Sequence, residues 1–405
     1  MKTKLRLENI MITIVLVAGM LVFFFRSDAF SFVDEGITAV SDEVAGEDLT
    51  AATFSQVSAA FLDGFYDKIQ LLEFNGGLAK RLGFMDFYKD TGGIKLSNGY
   101  VAGVYAKTST DYEIQQMNDL KAFCDEEGVQ LLYVNEPTKY IDDAIIEEDL
   151  GLESYINRNT DIFLQRLEEN GIPYIDLRDN IRSEEKNSFD LFYRTDHHWT
   201  TESGKWAAKI IADELNKDYG YGIDTSVYDD SNYDFTEYKS AWLGEQGKKL
   251  SKSYVGLDDY TCVEPKFTTN YTVTTVNGTV NGTFSETMIN KGIYSQTGDL
   301  DTIYASPSWH YSYMYNGLNA SVIRNNNLTT GKILLLGDSY EQVTAPFLSL
   351  GVNEVQTLVL RDYTGSLKEY IKQNNPDTVI VAYASFMIGA HDDPNSANYA
   401  MFDFN

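Results

Sequence analysis

Lys332-Ile333-Leu334-Leu335-Leu336-Gly337-Asp338-Ser339-Tyr340 is the stretch on which the reading of this chain turns. Its unbroken apolar run is the pattern of a strand buried on both faces, and Gly337-Asp338 is a tight turn that stops it. A serine on such a turn is held at the end of a buried strand with its hydroxyl outside the ladder. That hydroxyl is a weak nucleophile unless a base takes its proton and a carboxylate fixes the base's tautomer. The chain has only four histidines, and two of them stand together in Thr195-Asp196-His197-His198-Trp199-Thr200.

Working outward, Val355–Leu360 and Thr378–Val381 read as further strands, with a short helix, Leu367–Gln373, between them. Upstream, Asp111–Glu127 repeats apolar residues at Ile114, Met117, Leu120 and Cys124 and stops at Gly128, which predicts a helix. Strand Val129–Val134 follows. Helix Ile156–Glu169, closed by Asn170-Gly171, leads into strand Tyr174–Leu177, and helix Thr201–Leu215 begins directly behind the histidine pair, where Thr200 or Thr201 can cap it. Gly92-Gly93 and Asn98-Gly99 bracket a short hairpin signal at Ile94–Leu96. Alternating helix and strand patterns predict an α/β domain on a mostly parallel sheet. Between about 224 and 327 the rhythm breaks into Tyr, Thr, Asn, Gly and Ser, with alternation over Tyr271–Val276, which predicts a β-rich insertion lying outside that sheet.

Lys and Arg number 32 against 60 Asp and Glu, a formal charge of −28, which argues against nucleic acid as a partner. Ile10–Phe25 is an uncharged apolar run preceded by Lys2, Lys4 and Arg6 and closed by Arg26. Extended through Asn9 it reaches the ~17–25 residues of a spanning helix, and its basic flank predicts an N-inside orientation. A cleaved signal peptide is the rival, with Ser27-Asp28-Ala29 as a loose cleavage site, but Arg26 and three phenylalanines before it are poor context. The expected organisation is a cytoplasmic tail over 1–8, a transmembrane anchor over 9–26, a stalk and helix over 27–80 (Phe54, Val57, Phe61, Phe65), and the extracytoplasmic domain over 81–405. Cys124 and Cys262 can pair, but a buried thiol is the simpler account of Cys124, and no Cys/His spacing suggests a metal site. Asn270, Asn277 and Asn281 open Asn-x-Ser/Thr triplets, which matter only in a host that glycosylates.

The order of these blocks resembles a circularly permuted SGNH hydrolase. Gly337-Asp338-Ser339 and Pro376–Val381 are similar to the opening halves of that fold, and Asp119–Pro137, Gly171–Leu177 and Asp196–Leu215 to its closing half. Asp196-His197-His198-Trp199 ahead of Gly337-Asp338-Ser339-Tyr340, with Asn135–Lys139 and Leu360–Tyr363 as further matches, resembles the DHHW and AlgX/AlgJ-like group of exported polysaccharide O-acetyltransferase-type proteins. The resemblance implies a permuted, flavodoxin-like three-layer domain without a cofactor. It makes Ser339 the nucleophile, His198 the base and Asp196 its orienter. Two residues apart on an extended or turn segment at a helix start, Asp196 and His198 can face one direction, with His197 pointing away; if the segment is already helical, His197 is the base instead. Trp199 reads as packing that fixes the loop.

Where an SGNH hydrolase places Gly-x-Asn after its strand, this chain has Ala382-Tyr383-Ala384-Ser385-Phe386. Oxyanion donors are therefore sought in the Tyr340 or Ser339 backbone N–H, Ser385 or Arg361. Lys139 and Arg361 are candidate contacts for an anionic polymer or, equally, structural ion pairs. Trp309-His310-Tyr311 and the tyrosines after it are a candidate sugar platform, Trp309 and Tyr311 foremost, unless they are sheet packing. Three functions fit: acyl (acetyl) transfer to a surface polysaccharide; the reverse chemistry, a carbohydrate esterase; or a non-catalytic polysaccharide-binding or assembly protein. Acyl groups have to cross the membrane, so the resemblance implies a multi-pass acyltransferase of the MBOAT type as partner.

Overall fold

The computed structural model describes residues 68–83, 93–314, 317–389 and 397–405; the predicted anchor and the Phe54–Phe65 part of the stalk lie outside them. No helix among the described residues is long and apolar enough to cross a membrane. The chain divides into two units, Met1–Asn75 and Gly76–Asn405. Of the first unit only the opening of helix α1 (Lys68–Leu82) is described.

In the second unit the serine strand is the middle of an eight-stranded sheet. The strands are β3 (Gln130–Glu136), β4 (Tyr174–Asp176), β7 (Tyr271–Thr275), β8 (Gly278–Gly282), β9 (Ser321–Asn325), β10 (Lys332–Gly337), β11 (Glu354–Leu358) and β12 (Thr378–Ala384). Their order is β4-β3-β12-β10-β11-β9-β7-β8. The first five are parallel neighbours, and the three after β11 are antiparallel. The strands expected around Ser339 thus share one sheet with 130–136 and 174–176. β12 is buried along its whole length and β10 along all but its first residue, as strands covered on both faces must be.

The insertion does not lie outside this sheet. β7, β8 and β9 come from it and extend the sheet beyond β11. The alternating burial of β7 and β9 explains why they read as separate: strands at an antiparallel edge bury one face only. The rest of the insertion includes a second hairpin, β5 (Tyr233–Trp242) on β6 (Asp258–Pro265). The predicted hairpin near Ile94 is β1 (Ile94–Lys95) on β2 (Val101–Ala102).

Helices occupy two groups. α2 (Asp111–Glu127) packs with α3 (Ile156–Glu169), and near α8 (Leu367–Asn374), whose Lys368 and Lys372 ammonium groups lie over the Phe123 ring. α5 (Thr201–Asp218), capped by Thr200, packs on α7 (Glu341–Leu348), the helix behind Ser339. Between them come α4 (Leu177–Ser183), capped by Asp176, and, within the insertion, α6 (Glu245–Leu250). One apolar core joins Met117 and Leu120 on α2, Leu334 and Ile380 in the sheet, and Ala208 and Phe347 on the other side. Cys124 and Cys262 are both buried free thiols, so the pairing does not form.

The helix that starts at the histidine pair and the helix that starts at the serine meet at Gly204. A Cβ there would lie 2.4 Å from Val343 Cγ2 and 2.8 Å from its Cβ, so only glycine lets the two axes come this close. Gly204→Val should cost about 1–3 kcal/mol by overpacking. The measurement is the urea midpoint at constant m-value, and an unchanged midpoint would show that α5 and α7 can separate freely.

Candidate active site

The Asp196-His197-His198-Trp199 string occupies a loop closed on itself at the mouth of the sheet. Phe192 and Trp199 form an antiparallel bridge, the Tyr193 N–H donates to the His198 carbonyl (3.2 Å), and the Thr200 N–H to that of Leu191 (2.9 Å). At its tip Thr195 is tied to β6: its N–H and hydroxyl donate to Asp258 Oδ2 at 2.9 and 2.5 Å. Of the two expected conformations, extended or turn, the segment takes the turn. Asp196 Oδ1 accepts the backbone N–H of His198 (3.0 Å), an Asx-turn, and this brings the two side chains together.

The three side chains form a continuous chain of contacts. Asp196 Oδ1 lies 2.6 Å from His198 Nδ1, and His198 Nε2 lies 2.8 Å from Ser339 Oγ. Asp196 and His198 are fully buried, while Ser339 is partly exposed at the end of β10. Asp196 Oδ2 accepts the Glu245 N–H (2.8 Å) and the Ser308 hydroxyl (3.3 Å). Burial alone would raise its pKa. The opposing His198 imidazole, with the Glu245 N–H, outweighs burial and holds the carboxyl well below its ordinary range. A carboxylate fixed on Nδ1 leaves Nε2 as the acceptor for the serine proton.

Two bonds stitch this loop to the serine turn. Trp199 Nε1 donates to the Tyr340 carbonyl (3.0 Å), and the Tyr340 hydroxyl donates to the His197 carbonyl (2.7 Å). Trp199 is fully buried, a packing residue as expected. His197 does not point away; its partly exposed ring leans on His198, centroids 3.9 Å apart.

A third histidine, His310 of the Trp309-His310-Tyr311 string, lies against the serine turn as well. His310 Nε2 lies 2.5 Å from the Ser339 carbonyl, so it donates there, and its ring stacks on His198 at 4.0 Å and 12°. Burial first, and the adjacent His198 second, push its pKa well below the ordinary value, so it is a neutral donor. Its scarcity, one of four histidines in the chain, was the available signal. Nothing in the sequence pointed to Glu245 or Ser308, which reach the site through backbone and loop placement.

Other candidates fall elsewhere. Trp309 is fully buried against Tyr238, Tyr260 and Tyr294, so it is no sugar platform. Tyr311 is 39% exposed and edge-on to His198 at 5.4 Å, at the rim of the site. Lys139 is buried, with its ammonium on the Val101 and Arg194 carbonyls and Gln246 Oε1, and burial pushes its pKa down to about 7. It is a structural cation, not a contact for polymer. Ser385 is also buried, its hydroxyl within 3.0 Å of Asn135 Oδ1 and 3.1 Å of the Glu136 carbonyl, so it does not serve an oxyanion. The Tyr340 N–H is taken by Asp338 Oδ1 (2.8 Å). Of the expected donors, the Ser339 N–H and the partly exposed Arg361 remain; Arg361 acts on Asp338 and Tyr311 electrostatically and stands 3.8 Å from Asp362.

Asp196, His197 and His198 also lie close enough together to hold a cation, but the relay already uses both carboxylate oxygens and both His198 nitrogens. Beside His197 opens a cavity of about 450 Å³ lined by Tyr105, Asn159, Glu245, Lys249 and Phe386. A larger one, about 710 Å³, lies at the opposite strand ends around Gln130 and Asp377 and holds none of these residues.

Residues 105–289 match the family described as the SGNH hydrolase-like domain of acetyltransferase AlgX, a span that includes the histidine string and ends before Ser339. No curated protein matches the chain. Among solved structures, PatB1 of Bacillus cereus with a sulfonyl adduct superposes with a TM-score of 0.59 at 19% identity, over 76% of this chain and 96% of that one. A DHHW family protein from Eubacterium siraeum superposes with a TM-score of 0.55 at 14% identity, over 78% of this chain and 97% of that one. At such identities the likeness to both is one of fold. The sequence match over residues 105–289 and the shared fold together make this chain similar to the SGNH hydrolase-like domain of acetyltransferase AlgX.

Proposed function

We propose that this chain is a serine-dependent O-acyltransferase that works outside the membrane and places acyl groups, acetyl by family, on hydroxyls of a surface polysaccharide. The observation that carries this reading is the buried Asp196–His198–Ser339 line ending at a partly exposed hydroxyl. Ser339 Oγ attacks the donor's acyl carbon as His198 Nε2 takes its proton, and Asp196 stabilises the imidazolium. The developing oxyanion is met by the Ser339 N–H and by the nearby Arg361 charge. Collapse expels the donor's leaving group, which takes the proton from His198 and leaves an acyl-serine. An acceptor hydroxyl then repeats the sequence, giving its proton to His198 and releasing Ser339.

His310 supports the same chemistry by remaining neutral, because a second cation stacked on His198 would oppose the imidazolium. The cavity beside His197 favours an acceptor much larger than water, and Tyr311 at the rim offers a ring face to a sugar. The basic-flanked N-terminal run would hold the domain at the outer membrane surface as a single-pass anchor. There a multi-pass acyltransferase of the MBOAT type would supply the acyl group.

Ser339→Ala should abolish labelling by a fluorophosphonate and all acyl transfer to an oligosaccharide acceptor read by mass, with thermal unfolding unchanged. Release of free acid without acylated acceptor would instead identify an esterase. Asp196→Asn nearly preserves shape but favours the wrong imidazole tautomer, and by analogy with protease triads its turnover should fall by up to ~10⁴. Near-full activity in that variant would reassign the carboxylate role. His197→Gln should shift KM more than kcat, because its ring faces the cavity rather than the serine. A collapse of kcat equal to that of His198→Gln would exchange their roles.

A further inference from the structure

Two buried acids behind the serine turn have no part in the relay. Glu136 ends β3 and Glu341 opens α7, and neither side chain reaches solvent. Among the described residues all four of their oxygens are buried without a hydrogen-bond donor, and each carboxyl is set against the other. The titratable groups facing them are Asp338 and Tyr340 on the turn and Tyr133 on β3, with no Lys, Arg or His among them.

Two ionised carboxylates offer only acceptors, so a hydrogen bond between them requires a proton. Burial is the first cause that raises both pKa values. At Glu136 the neighbouring Glu341 carboxyl adds to it, so the two acids favour holding a proton between them. The backbone is built around this contact. A Cβ on Gly337 would lie 2.3 Å from Glu341 Cγ, so glycine is required there for the Glu341 side chain to fold back across the turn. Asp338 anchors the same turn on its other side: Oδ2 accepts the N–H of Ala384 (2.9 Å), the residue paired with Glu136 in the ladder.

We propose that Glu136 and Glu341 are a proton-sharing carboxyl pair that positions Ser339, pinning the first turn of α7 to the end of β3 until the shared proton is lost. The effect on rate rests on the nucleophile reading above; the effect on stability does not. Between the ordinary carboxyl value of 4.5 and the pair's own raised values, the folded chain binds more protons than the unfolded one. The stabilisation is therefore complete at low pH and is lost as pH rises through that window.

The test compares the full chain with Glu136→Gln, whose amide is a donor that cannot titrate, and with Glu136→Ala and Glu341→Ala. Fluorophosphonate labelling rates and Tm are followed from pH 5 to pH 10. Wild-type labelling should fall at alkaline pH while Glu136→Gln holds its rate, and the Tm of Glu136→Gln should gain on wild type as pH rises. The alanine variants, where folded, should label roughly tenfold to a hundredfold more slowly, the cost of a misplaced nucleophile. Parallel alkaline falls in wild type and Glu136→Gln, with a Tm difference independent of pH, would overturn the proposal. If no form is labelled at any pH, the nucleophile reading fails and the Tm difference alone decides the pair.

Discussion

Every part of this site depends on the buried carboxylate of Asp196 being kept ionised and immobile. Four donors surround it: the His198 backbone and ring, the Glu245 N–H and the Ser308 hydroxyl. Left without them, a fully buried carboxylate would take up a proton and could no longer fix the imidazole tautomer. With them it orients His198 toward Ser339, and the bonds between Trp199, Tyr340 and His197 keep loop and serine turn in register.

That arrangement explains why the insertion cannot be dispensable decoration. Asp258 on β6 holds Thr195, the start of α6 supplies the Glu245 N–H, and the turn at Trp309–Ser312 brings His310 against both Ser339 and His198. The parallel half of the sheet provides the serine turn at its carboxyl edge, the usual place for ligands in open α/β sheets. The insertion provides the surroundings that set protonation. It extends the same sheet through β7, β8 and β9, so the two halves share one core.

Charge at the site is managed by burial more than by pairing. His310 is kept neutral beside His198, and Lys139 is held on carbonyl oxygens rather than presented to solvent. The acidic composition of the chain as a whole says little about this centre, where Glu136 and Glu341 are both fully buried. Residue type alone misleads in such surroundings. Trp309 and Lys139 look like sugar and polymer contacts until their burial is known, and Ser385 looks like an oxyanion donor until its hydroxyl is found on β3.

Sequence alone determined the parallel strands, because an apolar run without alternation fits only a strand covered on both faces, and the helices, because their apolar spacing and their stops at Gly128 and Asn170-Gly171 are local signals. It also singled out Asp196, the His197-His198 pair and Ser339, since histidine is scarce and a Gly-Asp-Ser turn behind a buried strand is a local pattern. Tertiary structure decided the rest: that the Asx-turn aims His198 rather than His197 at Ser339, that His310 joins them from a distant loop, and that the insertion adds strands to the sheet. Those outcomes depend on contacts between segments far apart in the chain, and on burial, which sets the ionisation of a side chain and is not written in any short stretch of residues.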